Sequence, residues 1–274
     1  MPAKRFNALP GFGLTMGYTL LYLSVIVLIP IGALFFRALQ ISWTEFWQLA
    51  TTPRALAAYQ LTFGAAFFAA LANAIFGAVL AWVLVRYEFP GKRFVDALID
   101  FPFALPTAVA GLTLANLFAQ NGWLGQYLVP WGIKGAYTPL GVVIALTFVG
   151  LPFVVRTLQP VLENLEREVE EAAATLGAGR FRTFSRIIAP TLLPTVITGF
   201  ALAFARAIGE YGSVVFISGN LPFKTQIAPY LIVTRLDEYD YNGAMALALV
   251  LLVISFLMLS VINLLENWAR RYQN

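Results

Sequence analysis

Arg206 and Glu210 stand four residues apart in a stretch that is otherwise small or apolar, Ala205-Arg206-Ala207-Ile208-Gly209-Glu210-Tyr211-Gly212-Ser213. That spacing puts both side chains on one face of a helix, close enough to pair. An arginine there would attract an anion, and the paired carboxylate would keep that anion from binding too tightly to leave. The other reading is an ion pair that only fixes helix packing. Asp96 and Asp100 form a second couple, about one helical turn apart, and as acids near the start of an apolar stretch they suit the positive end of a helix dipole. Covalent chemistry has little to work with. The chain has no cysteine and no histidine, which removes disulfides, thiol chemistry, Cys/His metal sites and imidazole catalysis. Gly91-Lys92 is not a phosphate loop either, because Arg86 stands where that pattern needs glycine and Arg93 where it needs Ser or Thr. No catalytic or metal-ligating residue is expected, and no nucleotide or other cofactor bound by this chain.

Residues that carry charge in such surroundings have to be held by a particular kind of scaffold. Of 274 residues, 59% are hydrophobic and only 12% charged, with a mean hydropathy of +0.76, the composition of a polytopic membrane protein. A spanning helix needs about 20 mostly apolar residues. Six stretches qualify, 17–36, 61–85, 95–118, 140–155, 192–216 and 243–265, and one all-α membrane domain, 1–274, takes up the whole length. The first follows Lys4 and Arg5 as a signal peptide would. It runs too long and lacks a clear small-x-small cleavage site, so it reads as an uncleaved span.

Orientation follows from Lys and Arg. With the N-terminus in the cytoplasm, Lys4, Arg5, Arg86, Lys92, Arg93, Arg156, Arg167, Arg180, Arg182, Arg186, Arg270 and Arg271 fall on that side, twelve against five for Arg37, Arg54, Lys134, Lys224 and Arg235. Both termini are therefore expected in the cytoplasm. The net charge of +4 is then a matter of topology, and no nucleic-acid partner is expected. Trp123, Tyr127, Trp131 and Tyr137 predict a short interfacial helix on the far side, with a ligand cage as the other reading. The polar stretch 218–242 reads as a solvated loop.

Ionisable residues at membrane depth are expensive and by default functional, which returns attention to Arg206 and Glu210, the only charges deep in a span. Gly209 and Gly212 beside them would let another helix approach closely. In the third stretch Pro102 and Pro106 each remove a backbone hydrogen bond, a break tolerated where a helix faces protein or a water-filled cavity. A pore-lining kink and a structural bend both fit.

Between the fourth and fifth spans lies a charged island, a loop over 156–190. Leu162, Leu165, Val169, Ala172, Ala173 and Leu176 recur at three- and four-residue steps and predict one narrow apolar stripe on a helix. Glu163, Glu166, Glu168, Glu170 and Glu171 cover its other faces, and Gly177 and Gly179 end it. A second short helix, 181–188, follows, with Arg180, Arg182 and Arg186 around its polar side. A stripe of alanines brings a backbone close to a partner surface, and here that partner reads as another protein. An acidic helix lying on its own bundle has the same pattern.

Glu171-Ala172-Ala173, then Gly177, Ile187 and Ala189-Pro190, resembles the E-A-A-x3-G-x9-I-x-L-P loop of ABC importer permeases, departing from it only at Ala189, where leucine is usual. The resemblance implies the type I permease architecture and a coupling role for Glu171, Ala172, Ala173, Leu176 and Gly177 against a cytosolic ATPase. Gly209 to Asn220, together with Phe103 to Gly111, is similar to the oxyanion branch of these permeases, the T-subunit type of the sulfate/thiosulfate family. That implies a multi-pass chain of the bacterial inner membrane, with a homologous permease subunit as heterodimer partner and two ATPase subunits that bind ATP and Mg. It also implies a periplasmic anion-binding protein, alongside membrane lipid. The pathway residues to expect are Arg206, Glu210, Gly209, Gly212, Ser213, Pro102, Pro106 and Thr107. Molybdate or tungstate permeases share closely related segments and imply a homodimer. An ion-driven secondary anion carrier would leave the alanine stripe with nothing to dock, and an intramembrane enzyme would lack catalytic groups.

Overall fold

The computed structural model describes residues 12–165 and 167–271, with no strand among them. Lys4, Arg5 and Glu166, used above in the charge count and the acidic helix, lie outside the described residues, as do the side chains of Arg167, Val169, Arg270 and Arg271. Among the described residues, five helices are long and apolar enough to cross a membrane: Phe12–Arg37, Pro53–Arg86, Pro139–Glu163, Arg180–Ile208 and Tyr241–Glu266. Two of them open on Thr-Pro. The Thr52 hydroxyl accepts from the Ala55 amide at 3.2 Å and Thr138 from the Gly141 amide at 3.3 Å, while Pro53 and Pro139 sit where the missing N–H has no partner to lose. These caps start the second span well before residue 61. The fourth, expected to be short, runs the full 25 residues to Glu163, because Leu158 and Leu162 remain buried in the core beyond its apolar stretch.

The third expected span is not one helix. It consists of Lys92–Ile99, Phe101–Ala104 and Thr107–Phe118. Pro106 causes the second break: it forces the residue before it out of the helical region, and Leu105 is extended at φ −83°, ψ 135°. Pro102 causes none. It lies in the first turn of the 101–104 helix, where proline costs no hydrogen bond, and it is buried. The fifth expected span also breaks. Its helix ends at Ile208, and a separate short helix, Gly212–Ile217, follows after three residues.

The core lies where the 53–86, 139–163 and 180–208 helices meet. Lipid tails offer no hydrophobic drive for such contacts, so close packing of small residues carries them. Ala65, Ala66, Ala69 and Ala70 are buried on the first helix, and Val154 of the second fits between Gly77 and Gly199 of its two neighbours. The first span differs. None of its described residues is buried, and its 29–38 end touches the last helix. A surface of that kind has to be covered by lipid or by another subunit.

Asp96 lies within the 92–99 helix, and Asp100 stands at the N-cap position of the 101–104 helix without a side-chain cap bond. Both hold Arg156 of the 139–163 helix: Nη1 meets Asp96 Oδ1 at 2.7 Å, while Nε and Nη2 take the two Asp100 oxygens at 2.8 and 2.6 Å. Gln159 Nε2 also donates to Asp96 Oδ1 at 3.0 Å. The pairs are partly exposed, so solvent screens them. We expect Arg156→Ala to destabilise the purified chain by about 1–2 kcal/mol, read as a lower melting temperature, with Arg156→Lys recovering only part because an ammonium cannot make the two-pronged contact.

At the opposite end of the bundle Gly125–Leu128 and Val129–Trp131 form the short helical segment expected there, with Trp123, Tyr127, Trp131 and Tyr137 exposed. The stretch 218–242 is not a solvated loop. It contains the helix Ala228–Asp237, and buried Gln226 accepts from Arg54 Nε at 2.7 Å.

Candidate functional site

Two constellations gather the residues singled out in the sequence. The first is the segment between the 139–163 and 180–208 helices. Leu162 belongs to the end of the preceding helix, and a new helix, Arg167–Thr175, starts after a break at Asn164 and Leu165. One continuous stripe from Leu162 to Leu176 is therefore replaced by two helices. The second carries Glu168 and Glu170 in its first turn, where acids favour the helix dipole. It ends on Gly177 at φ +81°, a conformation that side chains with a Cβ resist. Around it the Ala178 amide donates to Ala173 O at 2.9 Å and the Gly177 amide to Ala174 O at 3.0 Å, the bond pair of a Schellman cap. Gly179, expected to help end this helix, is extended at φ −70° and precedes the next one.

Ala173 turns inward and is buried, while Glu171, Ala172, Leu176 and Gly177 face out. Leu176 is 87% exposed, an apolar side chain held in the open as at a docking surface. Glu170 ties the segment to the bundle, its carboxylate 2.7 Å from Arg86 Nη2. The same nitrogen reaches Leu165 O at 3.4 Å, and the guanidinium lies over the Trp82 ring at 5.4 Å. Local spacing could not reveal this anchor, since the two residues are far apart in the chain.

The second constellation lies where the two broken spans meet. The 212–217 helix packs on the 107–118 helix through glycine. A Cβ at Gly111 would overlap the Ser213 carbonyl, and one at Gly212 would overlap Thr107 Oγ1. Pro106 and Thr107 thus stand beside Gly212 and Ser213, so the breaks adjoin. Nothing of this chain lies within 4 Å of a Cβ placed on Gly209, which leaves room there for a helix of a partner subunit. Gly111→Ala should lower the melting temperature of the purified chain by the equivalent of about 1–3 kcal/mol, as overpacking against rigid backbone does. Gly209→Ala should leave it unchanged.

Arg206 lies in the last turn of its helix, and Glu210 lies just past the helix end. They pair all the same, Nη1 to Oε2 at 2.6 Å. The other carboxylate oxygen accepts from the Ser213 amide and hydroxyl, both at 2.9 Å, and so occupies the start of the 212–217 helix. Glu210 is 2% exposed and Arg206 35%. The carboxylate is locked in, while the guanidinium keeps an open side. Phe103, Pro106 and Tyr211 are also exposed at this junction, and Pro102 is not. The described residues hold no group of three His, Cys, Asp or Glu that would bind a metal. The arrangement can bind, orient and move.

A helical bundle with interrupted spans and a short exposed helix between two of them is the architecture of type I importer permeases. The chain belongs to the family of binding-protein-dependent transport system inner membrane components, which matches residues 73–271. It is an inner-membrane permease component of an ABC transporter. It is 51% identical to the sulfate transport system permease protein CysT of Synechocystis, over 99% of this chain and 95% of that one. It is 49% identical to CysT of Escherichia coli, over 95% and 94%. Among solved structures, a bacterial ABC transporter involved in import of the acidic polysaccharide alginate has the same fold, with a TM-score of 0.77, 14% identity and 96% of each chain covered. The alginate transporter in complex with its pentasaccharide-bound periplasmic protein matches with a TM-score of 0.72 at 17% identity, over 95% and 94%.

Proposed function

We propose that the chain is one half of the membrane pathway of an ATP-driven importer that moves sulfate, and thiosulfate with it, from periplasm to cytoplasm by alternating access. The observation that carries the substrate is the 51% identity, over nearly the whole chain, to a sulfate transport permease. The positive-inside rule supports placing both termini and the 164–179 segment in the cytoplasm. There Glu171, Ala172, Leu176 and Gly177 would meet a separate ATPase subunit, with Ala173 packed behind them. ATP and Mg belong to that subunit in this reading. An anion-binding protein would deliver substrate on the far side. The bare first span supports a second, homologous permease subunit as partner.

Movement of the segment reaches the spans through Arg86 and Glu170. At the junction, Arg206 offers a positive charge with an open side to a passing oxyanion, and Glu210 keeps that charge partly neutralised, so the anion is held weakly enough to leave. Purifying the chain from mild detergent tests the ATP-driven part. A stoichiometric ATPase should come with it and be lost when Leu176 is changed to Asp. Anion transport driven by an ion gradient, with no ATPase attached, would make it a secondary carrier instead.

A further inference from the structure

A cavity of about 550 Å³ opens between the end of the 53–86 helix, the 167–175 helix and the start of the 180–208 helix. Its walls are largely apolar, with Val79 and Trp82 on one helix and Ile188 and Leu192 on the other, all from segments apolar enough to cross a membrane. Two charged residues line it, Glu170 and Arg180. Glu170 is neutralised by Arg86 at 2.7 Å. Arg180 has no acidic partner among the described residues. The cavity therefore combines an apolar groove, an aromatic residue of the kind that settles at the membrane–water boundary and one uncompensated positive charge.

We propose that this cavity is a binding site for one anionic phospholipid, with an acyl chain along Val79, Ile188 and Leu192 and the headgroup phosphate on Arg180. The charge balance selects the occupant. With Arg86 counted, the site carries one net positive charge, which matches a headgroup of net charge −1, and basic pockets between spans hold such headgroups. A zwitterionic lipid would bring a second positive group to a site whose described lining holds no free carboxylate to receive it. The volume lies within the about 300–1,000 Å³ usual for ligand sites. A lipid seated there would brace the segment against the bundle beside the Arg86–Glu170 pair, so the surrounding membrane would set how firmly that segment is held.

The test is lipid retention by the assembled, detergent-purified importer, exposed to equal amounts of phosphatidylglycerol, phosphatidylethanolamine and phosphatidylcholine with the same acyl chains and read by native mass spectrometry. Phosphatidylglycerol should be kept in preference to the other two. Arg180→Gln should lower its retention about fivefold, the effect of one basic residue at a membrane surface. Val79→Trp, which plugs the groove, should do at least as much. Arg182→Gln, two residues on and outside the cavity, should change nothing. Equal retention of the three lipids, or full retention by both Arg180→Gln and Val79→Trp, would overturn the proposal.

Discussion

Arg206→Gln should lower sulfate uptake about a hundredfold. The substitution leaves the Glu210 carboxylate, 2% exposed, without the guanidinium that balances it, and removing one partner of a buried ion pair costs about 3–5 kcal/mol. The lower end of that range applies here because Arg206 is partly open to solvent. Two effects are mixed in that loss. One is damage to the junction, since Glu210 also accepts from the Ser213 amide and hydroxyl. The other is loss of the charge that meets the anion. Arg206→Gln combined with Glu210→Gln separates them. The double variant has no stranded charge, and glutamine can still accept from Ser213, so yield and melting temperature should recover while uptake stays low. If uptake recovers too, the pair only fixes packing. If Arg206→Gln alone transports at the parent rate with the same anion preference, Arg206 is not on the pathway.

Gly177→Val should reduce ATP-driven uptake at least about tenfold without loss of insertion or yield. Nothing lies within 4 Å of a Cβ placed there, so crowding is not the cause. The cause is the backbone: a left-handed conformation costs a residue with a Cβ roughly 1–2 kcal/mol, and a β-branched one more. To escape it the chain must give up the two cap bonds to Ala173 and Ala174, which moves Leu176, the exposed apolar residue next to it. A docking surface displaced in that way fails to engage. Gly177→Asn is the control, because asparagine tolerates this conformation; it should retain most of the uptake. Equal activity of the valine and asparagine variants would mean that the cap geometry plays no part in coupling.

Much of this was legible in the sequence, for reasons that differ from residue to residue. The spans announce themselves because about 20 apolar residues in a row leave few other structures open. Gly177 was legible because the end of a helix calls for a residue free to adopt positive φ. The interruptions were legible only in part. Two prolines four apart in 102–106 look alike in sequence, yet Pro106 leaves an extended residue before it, whereas Pro102 falls in the first turn that opens after the break at Asp100. Arg206 and Glu210 pair as their spacing predicts, but the helix that would justify the spacing ends at Ile208, and Glu210 instead takes up a capping role for the next helix. Contacts between distant parts left no local trace. Asp96 and Asp100 gave no sign of Arg156, which lies 60 and 56 residues away. Glu170 was one of several glutamates covering the faces away from the apolar stripe, and its bond to Arg86 is visible only once both helices are folded.

ATP-dependent uptake of labelled sulfate is the most direct test of the account. The chain would be reconstituted with its partner permease and the ATPase in vesicles, the anion-binding protein supplied on the periplasmic face and ATP on the other. The account predicts sulfate accumulation that requires ATP, is competed by thiosulfate, withstands trace molybdate and falls away in the Gly177→Val variant. Uptake blocked by trace molybdate would contradict the assignment of sulfate, and uptake that runs on an ion gradient without ATP would contradict the coupling role of the 167–177 segment.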